Sequence, residues 1–308
     1  MTSASDVEGA APAGDPPAEG TPSGGERPPE RGRGRRSRPS VFALAASEAV
    51  LLFQGVWGRL QRARWLARVG AVLFVIALPL ALIGTNVRVL FTAAPLYTFA
   101  LDQYDVPAVT GIPRQELERA MAEIRDYFTN DQELLRITVT DDRGRTNPLF
   151  TPREVIHMRD VKELVQAIFL VQWVAIGVVA GYVALRLAIE RGRAWAGLAR
   201  LTRISMLGTL VVALAFGAST LIGFERLFEQ FHQLSFSNDF WQLDPTQDHL
   251  VQMFPEDFWL VATVILAGMT LIEVLALLAA SWGYLQRVEQ SEPAPPATTE
   301  QPSAGEAG

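Results

Sequence analysis

Two of the three histidines in this chain fall in segments that could carry out proton transfer. His157 lies in the stretch Glu154–Lys162, and His232 lies in the aromatic stretch Phe231–Trp241. Imidazole is the side chain best suited to moving protons near neutral pH. A pair of imidazoles beside a lipid surface would suit acyl chemistry on a lipid-borne substrate, provided that the surrounding elements bring the two rings together.

Four stretches are long and apolar enough to cross a bilayer as helices. They cover about residues 69–87, 164–185, 204–224 and 258–286, and Glu273 is the only charged residue within them. Four such runs in one chain argue against a soluble protein. The sequence therefore predicts an all-α transmembrane four-helix bundle, with a membrane domain that covers residues 69–288.

Arginine decides the predicted orientation of these spans. The link between the third and fourth spans holds only Arg226. The link between the second and third spans is rich in arginine, and so is the approach to the first: Arg59, Arg62, Arg64, Arg68, Arg186, Arg191, Arg193, Arg200 and Arg203. We therefore expect a multi-pass membrane protein with both termini cytoplasmic and residues 88–163 and 225–257 outside. Full inversion is the alternative.

Composition separates the two ends of the chain from the membrane domain. Residues 1–40 and 289–308 are poor in large apolar side chains, so we predict disordered cytoplasmic tails there. Residues 41–68 mix apolar and basic positions and are predicted to form a basic helix that could lie on the inner surface. The chain has no cysteine, which excludes disulfides, thiolate catalysis and cysteine ligation of a metal or haem.

The first outer segment has the pattern of a small α+β region. Helical spacing of apolar residues runs from Pro113 to about Phe128, and strands are predicted over 134–140 and near 148–150. A capping box, Thr151-Pro-Arg-Glu154, then starts a helix that we expect to continue unbroken to about Ile189. The second outer segment is predicted to be a shorter cap between the third and fourth spans.

The predicted helices place both histidines at a similar height. His157 lies seven residues before Leu164, which is roughly 10 Å above the start of the second span. His232 lies eight residues after Phe224, which is roughly 12 Å above the third span if that helix continues. We therefore expect the two rings to face each other across one outer cleft. His249 lies in irregular chain and cannot be placed in this way.

Several polar residues near the histidines are candidates for supporting or substrate-binding roles. Asp160 lies one helical turn after His157 and could either orient its imidazole or pair with Arg159. Lys162 could contact a lipid phosphate or be solvated. After His232, polar groups alternate with aromatic ones in a pattern typical of a pocket wall, and the candidates there are Asn238, Asp239, Trp241 and Asp244.

Two segments of the chain resemble signatures of a known family. His157-Met158, followed by Asp160-Val161-Lys162, is similar to one signature of the lipoprotein intramolecular transacylases and of the bacterial four-span membrane proteins around them. The other signature is matched by Phe231-His232, Phe236-Ser-Asn-Asp239, Trp241-Gln-Leu-Asp-Pro245, Asp248 and Met253-Phe-Pro255. The resemblance covers about Val69–Leu285.

The resemblance implies an activity and a partner. The activity is transfer of an acyl chain within a diacylated lipoprotein, from the glycerol ester to the amino group of the N-terminal cysteine, with His157 and His232 as the functional histidines. The substrate supplies both nucleophile and electrophile, so the expected partners are that lipoprotein and membrane lipid, without a cofactor, a bound metal or nucleic acid. Oligomeric state is not predicted.

The chemistry requires a base and an oxyanion donor, and either histidine can take either role. We favour His232 as the base and His157 as the donor. Two other classes stay open. The histidines with Asp160, Asp239 or Asp244 could hold zinc in a metal-dependent hydrolase. A non-catalytic transporter or scaffold is favoured by the intramembrane Glu273, although that carboxyl could simply be bonded to a neighbouring helix.

Overall fold

The long helix α1 runs from Val41 to Thr92 and is the first element of the fold. The structure is a computed structural model that describes residues 41–141 and 143–291, with side chains at 41–63 and 221–222 left out. The chain divides into two compact units, residues 1–58 and 59–308, and only the helical backbone of 41–58 is described in the first. The tail predicted for residues 1–40 lies outside the described residues, and so does the part of the predicted tail 289–308 that begins at residue 292.

The remaining elements are five short helices, two short strands, a 3₁₀ turn and three long apolar helices. In chain order they are α2 (Ala94–Gln103), α3 (Val106–Thr110), α4 (Arg114–Tyr127), β1 (Thr138–Thr140), β2 (Thr146–Pro148), α5 (Pro152–Glu190), a 3₁₀ turn (Arg191–Arg193), α6 (Ala194–Ile222), α7 (Phe224–Ser235), α8 (His249–Met253) and α9 (Glu256–Gln290). The last element extends the fourth predicted span to Gln290, so the predicted C-terminal tail begins no earlier than Ser291.

Three segments of the described chain are long and apolar enough to cross a membrane, namely Arg64–Thr92, Pro152–Thr220 and Glu256–Gln290. The middle segment contains both α5 and α6, which are separated by the 3₁₀ turn at Arg191–Arg193. Arg191 has a positive φ of 53°, so the helical backbone is interrupted there. Four spans result if the chain reverses at this turn, and the four-span layout stays a prediction.

Hydrogen bonds connect α1 to both α5 and α6. Ser205 Oγ donates to the carbonyl oxygen of Val75 at 2.7 Å, and Gln172 Nε2 donates to Thr85 Oγ1 at 3.0 Å. Gly84 permits the second contact, because a Cβ on it would lie 2.7 Å from the Cβ of Gln172. Small and polar side chains of this kind are what hold apolar helices together when lipid surrounds them.

A third polar contact connects α1 to α9. Asn86 Nδ2 donates to Thr270 Oγ1 at 3.1 Å and to Glu273 Oε2 at 3.0 Å, and Asn86 is buried. The carboxyl of Glu273 is therefore hydrogen-bonded to a neighbouring helix. This is the second of the two interpretations that the sequence allowed for this residue. Through these three contacts, α1 is hydrogen-bonded to each of the other long helices.

The region between α1 and α5, together with parts of α5, α8 and α9, forms the largest apolar core of the described chain. Strands β1 and β2 pair antiparallel, with Thr138 opposite Pro148 and Thr140 opposite Thr146. The hairpin is shorter than predicted and its second strand begins earlier, because Leu149 and the residue after it are drawn into the core. Members of this core with almost no exposed surface include Leu101, Val106, Leu117, Ile124, Tyr127, Leu135, Leu149 and Met253.

The sequence correctly predicted α5 but not the end of α6. Helix α5 starts at the expected capping box and runs without a break to Glu190. Helix α6 ends at Ile222, however, and Gly223 has an extended backbone before α7 begins, so the condition under which His232 was placed above the third span is not met. Glycine is a poor helix former, and the amphipathic helix that follows can take its own direction from this break.

Candidate functional site

Helix α5 positions His157 from its first turn. The capping box is complete, since Thr151 N donates to Glu154 Oε2 at 2.7 Å and Glu154 N donates to Thr151 Oγ1 at 3.4 Å. The other carboxylate oxygen of Glu154 accepts a hydrogen bond from Leu250 N at 2.6 Å, which joins α5 to the chain just before α9. His157 lies one turn beyond this fixed point, and only 6% of its surface is exposed.

Helix α7 positions His232 on the border of its apolar face. His232 Nδ1 lies 2.7 Å from the carbonyl oxygen of Phe228, one turn earlier in the same helix. Four phenylalanine and tryptophan rings pack around its ring, with centroid distances of 4.3 Å to Phe228, 5.3 Å to Phe231, 5.2 Å to Trp241 and 5.6 Å to Phe236. As a result, His232 is buried, although α7 itself lies at the surface.

The two imidazole rings lie close together. Their centroids are 6.0 Å apart and their planes are inclined by 34°. Phe236 packs against both, at 5.2 Å from the His157 ring and 5.6 Å from the His232 ring. The predicted convergence of the two rings is thus confirmed, while the catalytic roles of the histidines stay a prediction.

The hydrogen-bonding state of each ring differs. A carbonyl oxygen can only accept, so the contact with Phe228 requires a proton on Nδ1 of His232 and leaves Nε2 of the neutral ring as an acceptor. His157 Nδ1 is buried and has no hydrogen-bond partner among the described residues. Leaving a buried ring nitrogen without a hydrogen-bond partner costs free energy. Such a nitrogen is therefore a candidate to form a hydrogen bond with a bound ligand.

Burial also affects the proton affinity of His232. Removal from water lowers the pKa of His232 below its usual 6.5, and the hydrogen bond with Phe228 opposes this only in part. The ring is therefore neutral at physiological pH, which is the state that can accept a proton.

Asp160 connects the two elements of the site rather than orienting an imidazole. Its Oδ2 accepts a hydrogen bond from Asn238 Nδ2 at 2.7 Å, and its Oδ1 accepts one from Arg159 Nη2 at 3.1 Å. Of the two sequence interpretations, the structure shows the ion pair with Arg159, and it shows no hydrogen bond between Asp160 and His157 among the described residues. Asn238 in turn accepts a hydrogen bond from Phe240 N at 3.1 Å, so Asp160 and Asn238 together fix the loop after α7.

Lys162 points toward the segment between α4 and β1 and not toward the histidines. Its Nζ donates to Gln132 O at 2.6 Å and to Asn130 Oδ1 at 3.2 Å, and lies 4.1 Å from the ring centroid of Tyr127. The side chain is buried, so the solvated alternative does not apply, and its hydrogen bonds are to protein groups.

The remaining predicted site residues differ in position. Trp241 packs against the His232 ring in a tilted arrangement. Asp239 is exposed at its edge, where Arg153 Nη2 lies 3.7 Å from its Oδ2 and donates to its backbone oxygen. Asp244 is exposed in a turn, accepts hydrogen bonds from Thr246 N at 2.8 Å and Thr246 Oγ1 at 2.7 Å, and stabilises that turn.

Sequence reasoning missed two contributors to this geometry. Phe228 supplies both the carbonyl and a ring to His232, and its position one turn earlier on an amphipathic helix was the available signal. Glu154 was recognised only as part of a capping box. Its hydrogen bond to Leu250 joins residues far apart in the chain, and nothing in the local pattern indicates it.

A zinc site would need a third ligand near the histidine pair. Among residues 41–141 and 143–291, no group of three or more His, Cys, Asp or Glu side chains has a geometry that could hold a metal ion. Asp160, Asp239 and Asp244 are engaged as described above. His249 begins α8, where its Nδ1 lies 2.9 Å from Gln252 Oε1.

Comparisons with solved structures show a likeness in fold. The structure of the membrane integral lipoprotein intramolecular transacylase Lit from Bacillus cereus has a TM-score of 0.58 at 20% identity, over 74% of this chain and 99% of that chain. Two structures of the same protein with a histidine mutation give 0.57 at 19% identity, over 80% and 100%, and 0.58 at 19% identity, over 76% and 100%. At these identities the likeness shows a shared fold. Among curated proteins, none matches this chain significantly.

A family model also matches a large part of this chain. The model described as lipoprotein intramolecular transacylase Lit matches residues 72–259, which is more than half of the 308 residues. Both His157 and His232 lie inside this range, as do the two segments whose signatures resembled the family. The chain therefore belongs to the family of the lipoprotein intramolecular transacylase Lit.

Proposed function

We propose that this protein is a membrane acyltransferase that moves an acyl chain within a bacterial lipoprotein, from the glycerol ester to the amino group of the N-terminal cysteine. The observation that carries the proposal is the pair of buried imidazoles with ring centroids 6.0 Å apart. Membership of the Lit family supports the same reaction class, because the family is described as an intramolecular transacylase.

The proposed reaction exchanges one ester for one amide. The cysteine amino nitrogen loses a proton to an imidazole and attacks the ester carbonyl carbon, which forms a tetrahedral intermediate with a negatively charged oxygen. The carbon–oxygen bond to glycerol then breaks, and the imidazolium returns its proton to the glycerol oxygen. An amide and a free glycerol hydroxyl result, and no nucleophile from the protein is needed, since the substrate holds both groups in one molecule.

The hydrogen bonds support His232 as the base. Its Nδ1 proton is committed to the carbonyl of Phe228, so Nε2 carries the free lone pair. His157 is the proposed oxyanion donor, because its buried Nδ1 has no acceptor among the described residues and could donate to the tetrahedral oxygen. Asp160 and Asn238 act as positioning residues that hold the loop carrying Trp241 against α5.

The decisive experiment locates the acyl chain on a lipoprotein substrate. Acyl migration leaves the total mass unchanged, so tandem mass spectrometry must show an N-acyl fragment and a free glycerol hydroxyl. We expect this product with the wild-type protein and its loss with His157→Ala and with His232→Ala. His249→Ala is the matched control, since this third histidine lies in a separate helix and should leave the product unchanged. Retention of the product in both site variants would reject the proposal.

We further propose that the protein spans the bacterial cytoplasmic membrane with both termini cytoplasmic and the histidine pair at the outer face. The arginines at and around the turn between α5 and α6 support this orientation. Because the chain has no cysteine, a thiol reagent can react only with a cysteine that is introduced by substitution. Arg143→Cys should react with a membrane-impermeant thiol reagent in intact cells, and Gly192→Cys only after permeabilisation. The reverse pattern would support full inversion.

A further inference from the structure

Arg88 lies between α1 and α5 at the end of the first predicted span. It is the first charged residue after the apolar stretch 69–87. Its Nε donates a hydrogen bond to Gln172 Oε1 at 2.7 Å, which places the guanidinium beside the apolar part of α5. A cation between membrane helices is costly and generally needs a partner.

The hydrogen bond between Arg88 and Gln172 has a well-defined geometry. Gln172 is buried and is fixed from both ends, since its Nε2 donates to Thr85 Oγ1 while its Oε1 accepts from Arg88. The absence of a side chain on Gly84 allows α1 and α5 to approach closely enough for this arrangement. The amide orientation is therefore determined by its neighbours, and so is the direction of the guanidinium.

Two aromatic rings of α5 support the guanidinium. Its central carbon lies 3.9 Å from the ring centroid of Phe169 and 5.7 Å from that of Trp173. Phe169 is buried, whereas 61% of the surface of Trp173 is exposed. Cation–π contacts of this kind hold an arginine in place without using its hydrogen-bond donors.

The donors at the tip of Arg88 remain open. In the part of the chain that the structure describes, Nε makes the one hydrogen bond of this guanidinium, and no carboxylate forms an ion pair with it. The two terminal nitrogens together form the planar fork that phosphate oxygens accept. The adjacent surface of α5 is apolar, with Leu170 and Val174 exposed beside Trp173, as acyl chains require.

We propose that Arg88 binds the phosphate of a membrane phospholipid whose acyl chains lie along α5 beside Trp173. This lipid site is separate from the histidine pair, because Gln172 lies fifteen residues beyond His157, roughly 22 Å along the helix axis. It also differs in chemistry, since the group that the proposed reaction acts on is a glycerol ester and the site at Arg88 recognises a phosphate.

Native mass spectrometry of the full chain in detergent tests the site with two probes. Phosphatidylglycerol and diacylglycerol with the same chains differ in the presence of the phosphate head group. We expect the wild-type protein to retain phosphatidylglycerol in preference to diacylglycerol, and Arg88→Gln to weaken that retention about ten- to a hundredfold, as loss of a charged hydrogen-bonded pair implies. Arg136→Gln removes an exposed arginine of the outer region and is the matched control, with wild-type retention expected.

Three results would overturn the proposal. These are equal retention of both lipids, undiminished retention by folded Arg88→Gln, and displacement of the lipid by millimolar inorganic phosphate, which would indicate a site for free phosphate. If Arg88→Gln does not fold, the wild-type protein can be labelled with phosphatidylglycerol that carries a photoreactive head group. Label concentrated on the peptides containing Arg88 and Trp173 supports the site, and label spread evenly over the long helices rejects it.

Discussion

Asn238 Nδ2 lies 2.7 Å from Asp160 Oδ2, so the loop that follows α7 is hydrogen-bonded to the helix that carries His157. The two proposed catalytic rings come from different elements, and this bond is one of the few direct connections between those elements. The distance between the rings therefore depends on a pair of residues that make no contact with the substrate in the proposed reaction.

Asn238→Ala should lower kcat about ten- to a hundredfold with little change in KM, because small displacements of reacting groups are costly while the binding surface is kept. Asp160→Ala should have a similar effect, and the double variant should be little worse than either single one. Initial rates with a synthetic diacylated lipopeptide in detergent would measure this. Glu163→Gln alters an exposed carboxylate of the same helix and serves as the control. Fully additive losses would contradict a shared positioning role.

His232 should be neutral, with its proton on Nδ1, and should titrate below 6.5 because burial lowers its pKa. With three histidines in the chain, nitrogen-15 spectra of labelled imidazoles can resolve each ring, and His232→Gln assigns the signal. A midpoint at or above 6.5, or a proton on Nε2 of the neutral ring, would contradict the assignment of Nε2 as the basic atom.

The same pKa has a consequence for stability. The unfolded chain takes up a proton at His232 near 6.5, whereas the folded protein does so only at lower pH. Between the pKa of the folded protein and 6.5, the unfolded state thus binds more protons than the folded state. The free energy of unfolding therefore falls as the pH decreases through this window. Thermal unfolding of wild type and His232→Gln, compared above and within the window, should show a smaller pH dependence in the variant.

Lys162→Met should destabilise the protein without weakening substrate binding. The ammonium donates to Gln132 O and Asn130 Oδ1, and its removal loses these two charge-assisted hydrogen bonds at a cost of about 1–3 kcal/mol. Thermal unfolding and KM for the lipopeptide are the measurements, with Arg136→Met as the exposed control. A large rise in KM at unchanged stability would instead indicate that Lys162 binds the substrate.

Glu154→Gln should also lower stability, by about 1–3 kcal/mol. Both carboxylate oxygens accept from backbone N–H groups, those of Thr151 and Leu250, and an amide would turn one acceptor into a donor that faces a donor. A lower unfolding temperature is expected in detergent, whereas Glu133→Gln, which changes an exposed side chain, should leave it unchanged. Wild-type stability of the Glu154 variant would show that one of these contacts is dispensable.

Local sequence patterns predicted a helix correctly where its start and its length depended on the residues of that helix alone. The capping box at Thr151 correctly marked the start of α5, and the absence of any breaking residue correctly marked its length. The same reasoning failed at Gly223, because a single glycine within an apolar run is tolerated in many helices, and whether the helix breaks there depends on what the following residues pack against.

The functional residues divide in the same way. Apolar runs, arginine distribution and the two histidine segments are properties of composition and spacing, so the sequence by itself determined a helical membrane protein, its family resemblance and its candidate histidines. Only the tertiary structure decided that Asp160 bonds to Asn238 instead of His157, that Lys162 points away from the site, and that Phe228 holds the His232 ring. Side-chain direction depends on competition among all neighbouring partners in space, and spacing along one helix does not contain that information.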